Sequence, residues 1–231
     1  MKYFLKPRTA TVVRIFFQTA MSKPQPYTFA GTIRYEPQAK GHARPENSRE
    51  AMRKRGIGAS EVPAIAGLSE FTSPRDVYRE KVGLACFEGN QATRIGNHFE
   101  PCFFSYLKEY HLQKYQCQRN TGIYVQHKTS YSKPEPHYCT PDGFAINDNL
   151  AKPMLLELKI SSYFSRKKLA CAEVQCQYTM HILDLDEAMI CVLQGTKVDL
   201  VRIPRNRAEG ERLYKLARTF WDDFVMKGVE P

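Results

Sequence analysis

The sequence predicts an α/β (α+β) fold built as one large domain, and three observations predict it. Apolar residues recur at three- and four-residue spacing between residues 91 and 110, the period of a helix buried on one side. Between residues 117 and 160 the pattern changes to short alternating or apolar runs separated by Gly, Pro, Asn and Asp, which marks strands and tight turns. The C-terminal part then reads helix, strand, strand, helix. With 231 residues and 42% hydrophobic content, the chain can bury one sizeable core.

Residues 1–47 are expected to form a basic, proline-rich arm or linker. No acidic residue precedes Glu36, while Lys2, Lys6, Arg8, Arg14, Lys23 and Arg34 are present, and Pro24, Pro26, Pro37 and Pro45 interrupt regular patterns. This charge bias suits a mitochondrial import segment or a disordered arm that adds non-specific nucleic-acid affinity, and Met21 offers a second start. The folded part is expected over residues 48–231. It opens with a short helix over 48–54 that stops at Gly56. A glycine turn follows, in which Ser60 caps a helix over 61–66. Ser73-Pro74 opens the next helix, with Val77, Tyr78 and Val82 on its apolar side and Gly83 at its end.

The helix over 91–110 presents Ile95, Phe99, Phe103, Tyr106 and Leu107 on its apolar side, with Glu100 one position round from Phe99. Strands at 122–125, 138–140, 144–146 and 154–160 are expected to form a meander. A helix over 171–183, paired strands at 188–193 and 198–203 across Gly195, and an amphipathic helix over 211–226 complete the chain.

Lys and Arg outnumber Asp and Glu by 34 to 24, and the net charge of +10 favours polyanions, with nucleic acid ahead of anionic lipid. No run approaches the roughly 20 apolar residues that cross a bilayer, so a soluble chain without a membrane partner is expected. Seven cysteines with no Cys-x-x-Cys pair argue against a disulfide framework and against a zinc or iron–sulfur site. They read as buried small hydrophobes of an intracellular protein.

The stretch that carries chemistry is Thr140-Pro141-Asp142-Gly143, followed by Glu157-Leu158-Lys159 inside an apolar strand. Adjacent strands lie about 4.8 Å apart, so an acid at one strand end can approach an acid on the neighbouring strand. Two such carboxylates make an oxygen-rich cage for Mg²⁺ or Mn²⁺. Positions two apart on a strand face the same way, so Glu157 and Lys159 share one side while Leu156 and Leu158 face the core. Burying a glutamate and a lysine there is costly unless partners or a metal match the charges. Taken alone, the pair also reads as an ordinary Glu-x-Lys on a solvated strand face.

Together these elements resemble the signature of the PD-(D/E)XK nuclease superfamily. The flanking sequence is similar to the YqaJ-type viral recombinases, the family of phage lambda exonuclease and related alkaline exonucleases. Arg53-Lys54-Arg55-Gly56-Ile57-Gly58-Ala59-Ser60-Glu61 looks like that family's first motif. Gly96-Asn97-His98-Phe99-Glu100 looks like its Gly-x-x-x-Glu helix, and Val174-Gln175-Cys176-Gln177 like its Gln-x-Gln helix. The motifs come in the family's order across residues 53–195.

The resemblance implies a restriction-endonuclease-like core, a central mixed β-sheet flanked by helices. It implies an Mg²⁺-dependent exodeoxyribonuclease acting on double-stranded DNA ends from 5′ to 3′, in recombination, repair or viral genome processing. Two Mg²⁺ ions would bind, and Mn²⁺ would substitute. Asp142, Glu157 and the Leu158 carbonyl would hold metal, Lys159 would serve the attacking water, Gln177 would support it, and Glu100 would project into the same pocket. Arg53 or Arg55, Ser60 and Thr140 would hold a 5′ phosphate, and Arg166 would reach phosphate from a shifted position. A helix N-terminus at Ser60 suits an anion on physical grounds too. A homotrimer, a single-strand annealing partner and, for a viral protein, a host nuclear or cytoplasmic location are further implications.

Two departures mark this sequence: no tryptophan precedes the first motif, and Ile160-Ser161-Ser162-Tyr163 stands where the family often has proline. The plain alternatives are an exposed helix position for Gln177, a surface acid for Glu100 and a solvated helix end for the arginines. An endonuclease or nickase on the same fold would share the catalytic residues. An inactive nucleic-acid-binding module would have no reason to retain Asp142, Glu157 and Lys159 together.

Overall fold

The computed structural model describes residues 15–19, 22–27, 29, 32–35, 51, 53–86, 89–120, 122–126 and 136–231. Three strands come first, β1 (Ile15–Thr19), β2 (Ser22–Tyr27) and β3 (Thr32–Tyr35). The short β4 (Ile57–Gly58) leads through a 3-10 turn at Ala59–Glu61 into α1 (Val62–Ile65), then α2 (Pro74–Lys81) and the long α3 (Gln91–Tyr110). Next are β5 (Gln116–Arg119), β6 (Ile123–Gln126), β7 (His137–Cys139), β8 (Gly143–Ile146) and β9 (Met154–Ser161). The chain closes with α4 (Arg166–Leu183), β10 (Glu187–Gln194), β11 (Lys197–Pro204) and α5 (Arg207–Phe220).

Strand β9 lies in the middle of a five-stranded mixed sheet of order β11-β10-β9-β8-β5. It pairs antiparallel with β8 and parallel with β10. A parallel pair cannot be closed by a tight turn, and α4 makes the crossover. A four-stranded sheet of order β3-β6-β7-β4 stands beside it, and among the described residues β1 pairs with β2 as a separate two-stranded sheet.

Both faces of the larger sheet are covered, so β9 and β10 are apolar on both sides of their pleat. On one face Leu156 and Leu158 join Phe103, Phe104 and Leu107 of α3. On the other, Leu155, Ile190 and Val192 meet Cys176, Tyr178 and Met180 of α4, with α5 packed behind through Leu213, Ala217 and Phe220. Gly143 is where α3 and β5 close onto the hairpin. A Cβ there would stand 2.6 Å from the Phe104 ring and 2.9 Å from the Gln118 carbonyl. No helix among the described residues is long and apolar enough to cross a membrane.

Several expectations change in three dimensions. The strands expected as one meander divide between two sheets: β8 and β9 stay a hairpin, while β6 and β7 pair with β3 and β4. Part of the segment expected as an arm is built into the fold. Thr32–Tyr35 pairs with β6, and Phe29 is buried against the Tyr124 and Phe144 rings at 5.2 and 5.0 Å. Ile15–Thr19 and Ser22–Tyr27 of the same segment pair antiparallel with each other, and the remaining residues of 1–47 lie outside the described residues.

Helix α3 has the expected limits, yet Ile95, Phe99 and Tyr106 are exposed, and Phe103, Phe104 and Leu107 make the buried side. Val82 is exposed because it is the C-cap of α2, past the helix's packed side. Ser60 caps nothing; the glycine turn is closed instead by the Glu61 carboxylate, which accepts the Gly58 N–H at 2.7 Å. The last two helices begin earlier than their apolar pattern suggests. Ser165 and Asn206 cap them by accepting the Lys168 and Glu209 N–H groups.

Candidate active site

The β8–β9 ladder ends where Gly143 faces Leu156. Past that point Asp142 takes the place of a strand partner, its Oδ2 accepting the Leu158 N–H at 2.7 Å. The N–H and C=O of one strand residue leave on the same side, so the Leu158 carbonyl opens into the gap beside Asp142. The other face of the strand carries Glu157, 3% exposed, and Lys159. Lys159 Nζ donates to Glu157 Oε1 at 2.6 Å and to Gln175 Oε1 at 3.1 Å, and Gln175 Nε2 donates to Glu157 Oε1 at 2.7 Å. Strand β9 and helix α4 thus close a triangle of acid, amine and amide.

The electrostatics follow from two carboxylates sharing one lysine. Burial pushes the Asp142 carboxyl well above the usual carboxylate range, and the neighbouring Glu157 adds to it. Burial works against a charged Lys159, but Glu157 and then Asp142 outweigh it and hold the ammonium above the ordinary lysine range. Like charges buried side by side suit a divalent cation. Two carboxylates and a backbone carbonyl are hard oxygen donors of the kind Mg²⁺ accepts alongside water and phosphate. No cluster of three or more His, Cys, Asp or Glu is present among the described residues.

A cleft of about 840 Å³ opens over Lys159, lined by Arg53, Ser60, Glu100, Leu158, Lys168 and Gln175 among others. Asp142 and Glu157 do not line it themselves; Leu158 and Lys159 form that part of its wall. Glu100 reaches it from α3 and accepts from Arg119 Nη2 at 3.1 Å. Arg53 reaches it from the first motif, its Nε 3.7 Å from Glu61 and its Nη2 4.0 Å from Glu80. The segment is braced from below by Lys81, fully buried, whose Nζ donates to the Arg53 carbonyl at 2.6 Å and to both Glu61 oxygens. Burial lowers the Lys81 pKa against the pull of Glu61.

The other expected phosphate contacts divide. Ser60 lines the cleft, whereas Arg55, Thr140 and Arg166 do not; Lys167 and Lys168 line it where Arg166 was expected. Gln177 is a correction. Its Nε2 donates to the Pro204 carbonyl and its Oε1 accepts the Asn206 N–H, both at 2.8 Å, so it ties α4 to the start of α5. Two positions along a helix turn the side chain through about 200°, which is why one glutamine meets the lysine and the other does not. Sequence reasoning missed Gln175. The signal was there: Lys168, Cys171 and Gln175 recur at helical spacing along one edge of the helix.

The cysteines are free among the described residues. Burial pushes the thiols of Cys139 and Cys176 well above their ordinary range, as expected of buried hydrophobes, but Cys86 and Cys102 are exposed.

A mixed sheet with Asp and Glu-x-Lys at adjoining strand positions, flanked by helices, is the core of the PD-(D/E)XK class. Within that class, the model of the YqaJ-like viral recombinase domain matches residues 50–185, more than half of the chain, and the protein belongs to this family. Solved structures share the fold at low identity. An alkaline exonuclease from Laribacter hongkongensis, LHK-Exo, is 16% identical with a TM-score of 0.56 over 77% of this chain and 91% of its own. The same exonuclease in complex with dAMP is 14% identical with a TM-score of 0.53, over 76% and 90%. A phage-related exonuclease from Haemophilus somnus 129PT is 15% identical with a TM-score of 0.53, over 75% and 96%. No curated protein matches the chain.

Proposed function

We propose that the protein is an Mg²⁺-dependent exodeoxyribonuclease that digests double-stranded DNA ends from 5′ to 3′. The observation that carries this reading is the convergence of Asp142, Glu157, Lys159 and Gln175 beside a cleft that also holds Arg53 and Ser60. Asp142, Glu157 and the Leu158 carbonyl would hold the cation, which would supply water activation and charge neutralisation at phosphorus. The remaining work belongs to the side chains. Lys159, whose Nζ already donates to Glu157 and Gln175, is the donor that would orient the attacking water and stabilise the developing oxyanion. Gln175 fixes the rotamer of that lysine from α4, and Glu157 holds it from the strand. Arg53 and Ser60 on the cleft wall support the reading that a terminal phosphate is bound there, and with it a chain end over an internal site. The family neighbour solved with dAMP supports a mononucleotide-sized product.

We place this activity in recombination, repair or viral genome processing, with a homo-oligomer as its working form and a single-strand annealing protein as partner. The test is linear duplex labelled at either end, with 5′ phosphate or 5′ hydroxyl, incubated with Mg²⁺ beside closed circular DNA and a Lys159→Ala control. Loss of signal from 5′-phosphorylated ends, with circles intact and the variant silent, is expected. Cut or nicked circles would mean an endonuclease, and DNA binding without cleavage in Mg²⁺ or Mn²⁺ would mean a binding module.

A further inference from the structure

Phe71, in the loop between α1 and α2, is 79% exposed and stands on the cleft wall. A ring so open adds little to folding, yet the loop that presents it is braced. Ser69 Oγ accepts the N–H groups of Phe71 and Thr72, both at 3.2 Å. Two contacts tie the loop to α4, the helix that also carries Gln175: Glu70 with Lys167 at 3.2 Å, and Cys171 Sγ donating to the Leu68 carbonyl at 3.5 Å. The backbone that carries the ring is therefore tied to the helix that carries Gln175.

Lys168 completes the arrangement. Its Nζ lies 5.9 Å from the Phe71 ring centroid and is held by Ser161 Oγ at 3.0 Å and the Tyr163 carbonyl at 2.6 Å. Both oxygens are uncharged, so the ammonium keeps its charge for an anion. The acids of the same wall are engaged with basic side chains: Glu61 with Lys81, Glu70 with Lys167, Glu80 with Arg53, and Glu100 with Arg119. An open aromatic face beside a fixed cation matches the two halves of a nucleotide, a flat base and a phosphate.

We propose that Phe71 is a stacking platform for a nucleobase of the DNA strand entering the cleft, with Lys168 on the adjoining phosphate. Ring and ammonium together set the position of the strand against Lys159. This rests on the nuclease reading above and deepens it by naming a positioning residue for the substrate. Every base has a stacking face, so the contact is tolerant of sequence.

The test uses duplex DNA with 2-aminopurine in its terminal nucleotides, bound in Ca²⁺ in place of Mg²⁺, with fluorescence and anisotropy read together. Phe71→Ala and Phe71→Leu are expected to weaken end binding about tenfold and to lose the quench of 2-aminopurine, while Phe71→Trp restores both. In Mg²⁺ the same variants show a raised KM for duplex ends and, because the strand is less well placed against Lys159, a slower cleavage at saturating DNA, and Phe71→Trp restores both. Exposure of the ring predicts unchanged melting temperatures. Phe71→Ala with wild-type affinity and quench overturns the proposal, as does Phe71→Leu performing like wild type. A wild-type protein that quenches but does not cleave would defeat the nuclease reading and leave the stacking contact standing.

Discussion

Gln175→Leu keeps the volume of the side chain and removes both of its polar contacts, the donation to Glu157 Oε1 at 2.7 Å and the acceptance from Lys159 at 3.1 Å. Hydrogen bonds to charged groups are worth about 1.5–3 kcal/mol each. Lys159 retains Glu157 at 2.6 Å, so its charge is not stranded and what is lost is its alignment. If one such contact is fully expressed in the transition state, kcat falls roughly 10- to 150-fold with KM little changed. Gln177→Leu is the control. It removes the contacts to the Pro204 carbonyl and the Asn206 N–H and so unties the start of α5. The expected loss is about 1–3 kcal/mol of stability, a melting temperature lower by several degrees, and a normal kcat in the folded fraction. Single-turnover cleavage of end-labelled duplex, with thermal unfolding of both variants, separates the two outcomes. A Gln177→Leu protein that melts normally but has lost kcat, beside an active Gln175→Leu, would refute the assignment.

Other expectations follow from the same geometry. Asp142→Asn relieves a buried carboxyl crowded by Glu157, so it should melt higher than wild type in chelator and lose the rise that Mg²⁺ gives wild type; a metal-induced rise equal to that of wild type would count against Asp142 as a ligand. Arg53→Ala should reduce the preference for 5′-phosphorylated over 5′-hydroxyl ends about tenfold or more, the scale of one charge-assisted hydrogen bond. Arg55→Ala, outside the cleft, should leave that preference intact, and competition between the two end types measures it. Asp184 caps α4 in the left-handed region at φ 53 and is held down to about 2 by Arg205 and Lys152. Its folded pKa is below the unfolded value of 3.8, so its contribution is present above that value and disappears as pH falls through about 2. Asp184→Asn, which tolerates the same backbone, should lose about 1 kcal/mol or less at pH 7, given the exposed carboxylate. Chemical denaturation at pH 7 and near pH 2 should show that gap closing.

Local signals made much of the fold legible. Spacing marked α3 from residue 91 to 110, and Ser73-Pro74 marked the start of α2, because helix period and capping depend on residues within a turn or two of one another. The parity of β9 was readable for the same reason: alternation along a strand needs no knowledge of what packs on either face. The division of the strands between two sheets was not, since pairing of Thr32–Tyr35 with β6 joins segments far apart in the chain.

By itself the sequence determined which chemistry is present: two carboxylates and a lysine on a strand hairpin, a glycine turn carrying arginine, and a helix with two glutamines. Tertiary structure decided which copy of each group reaches Lys159 or the cleft. The rotation of α4 against the sheet turned Gln175 to Lys159 and Gln177 away. The buried Glu61–Lys81 pair held the Arg53 segment while Arg53 faced the cleft and Arg55 did not. Both choices are made by packing between elements distant in sequence, and residue type and spacing carry no record of that rotation.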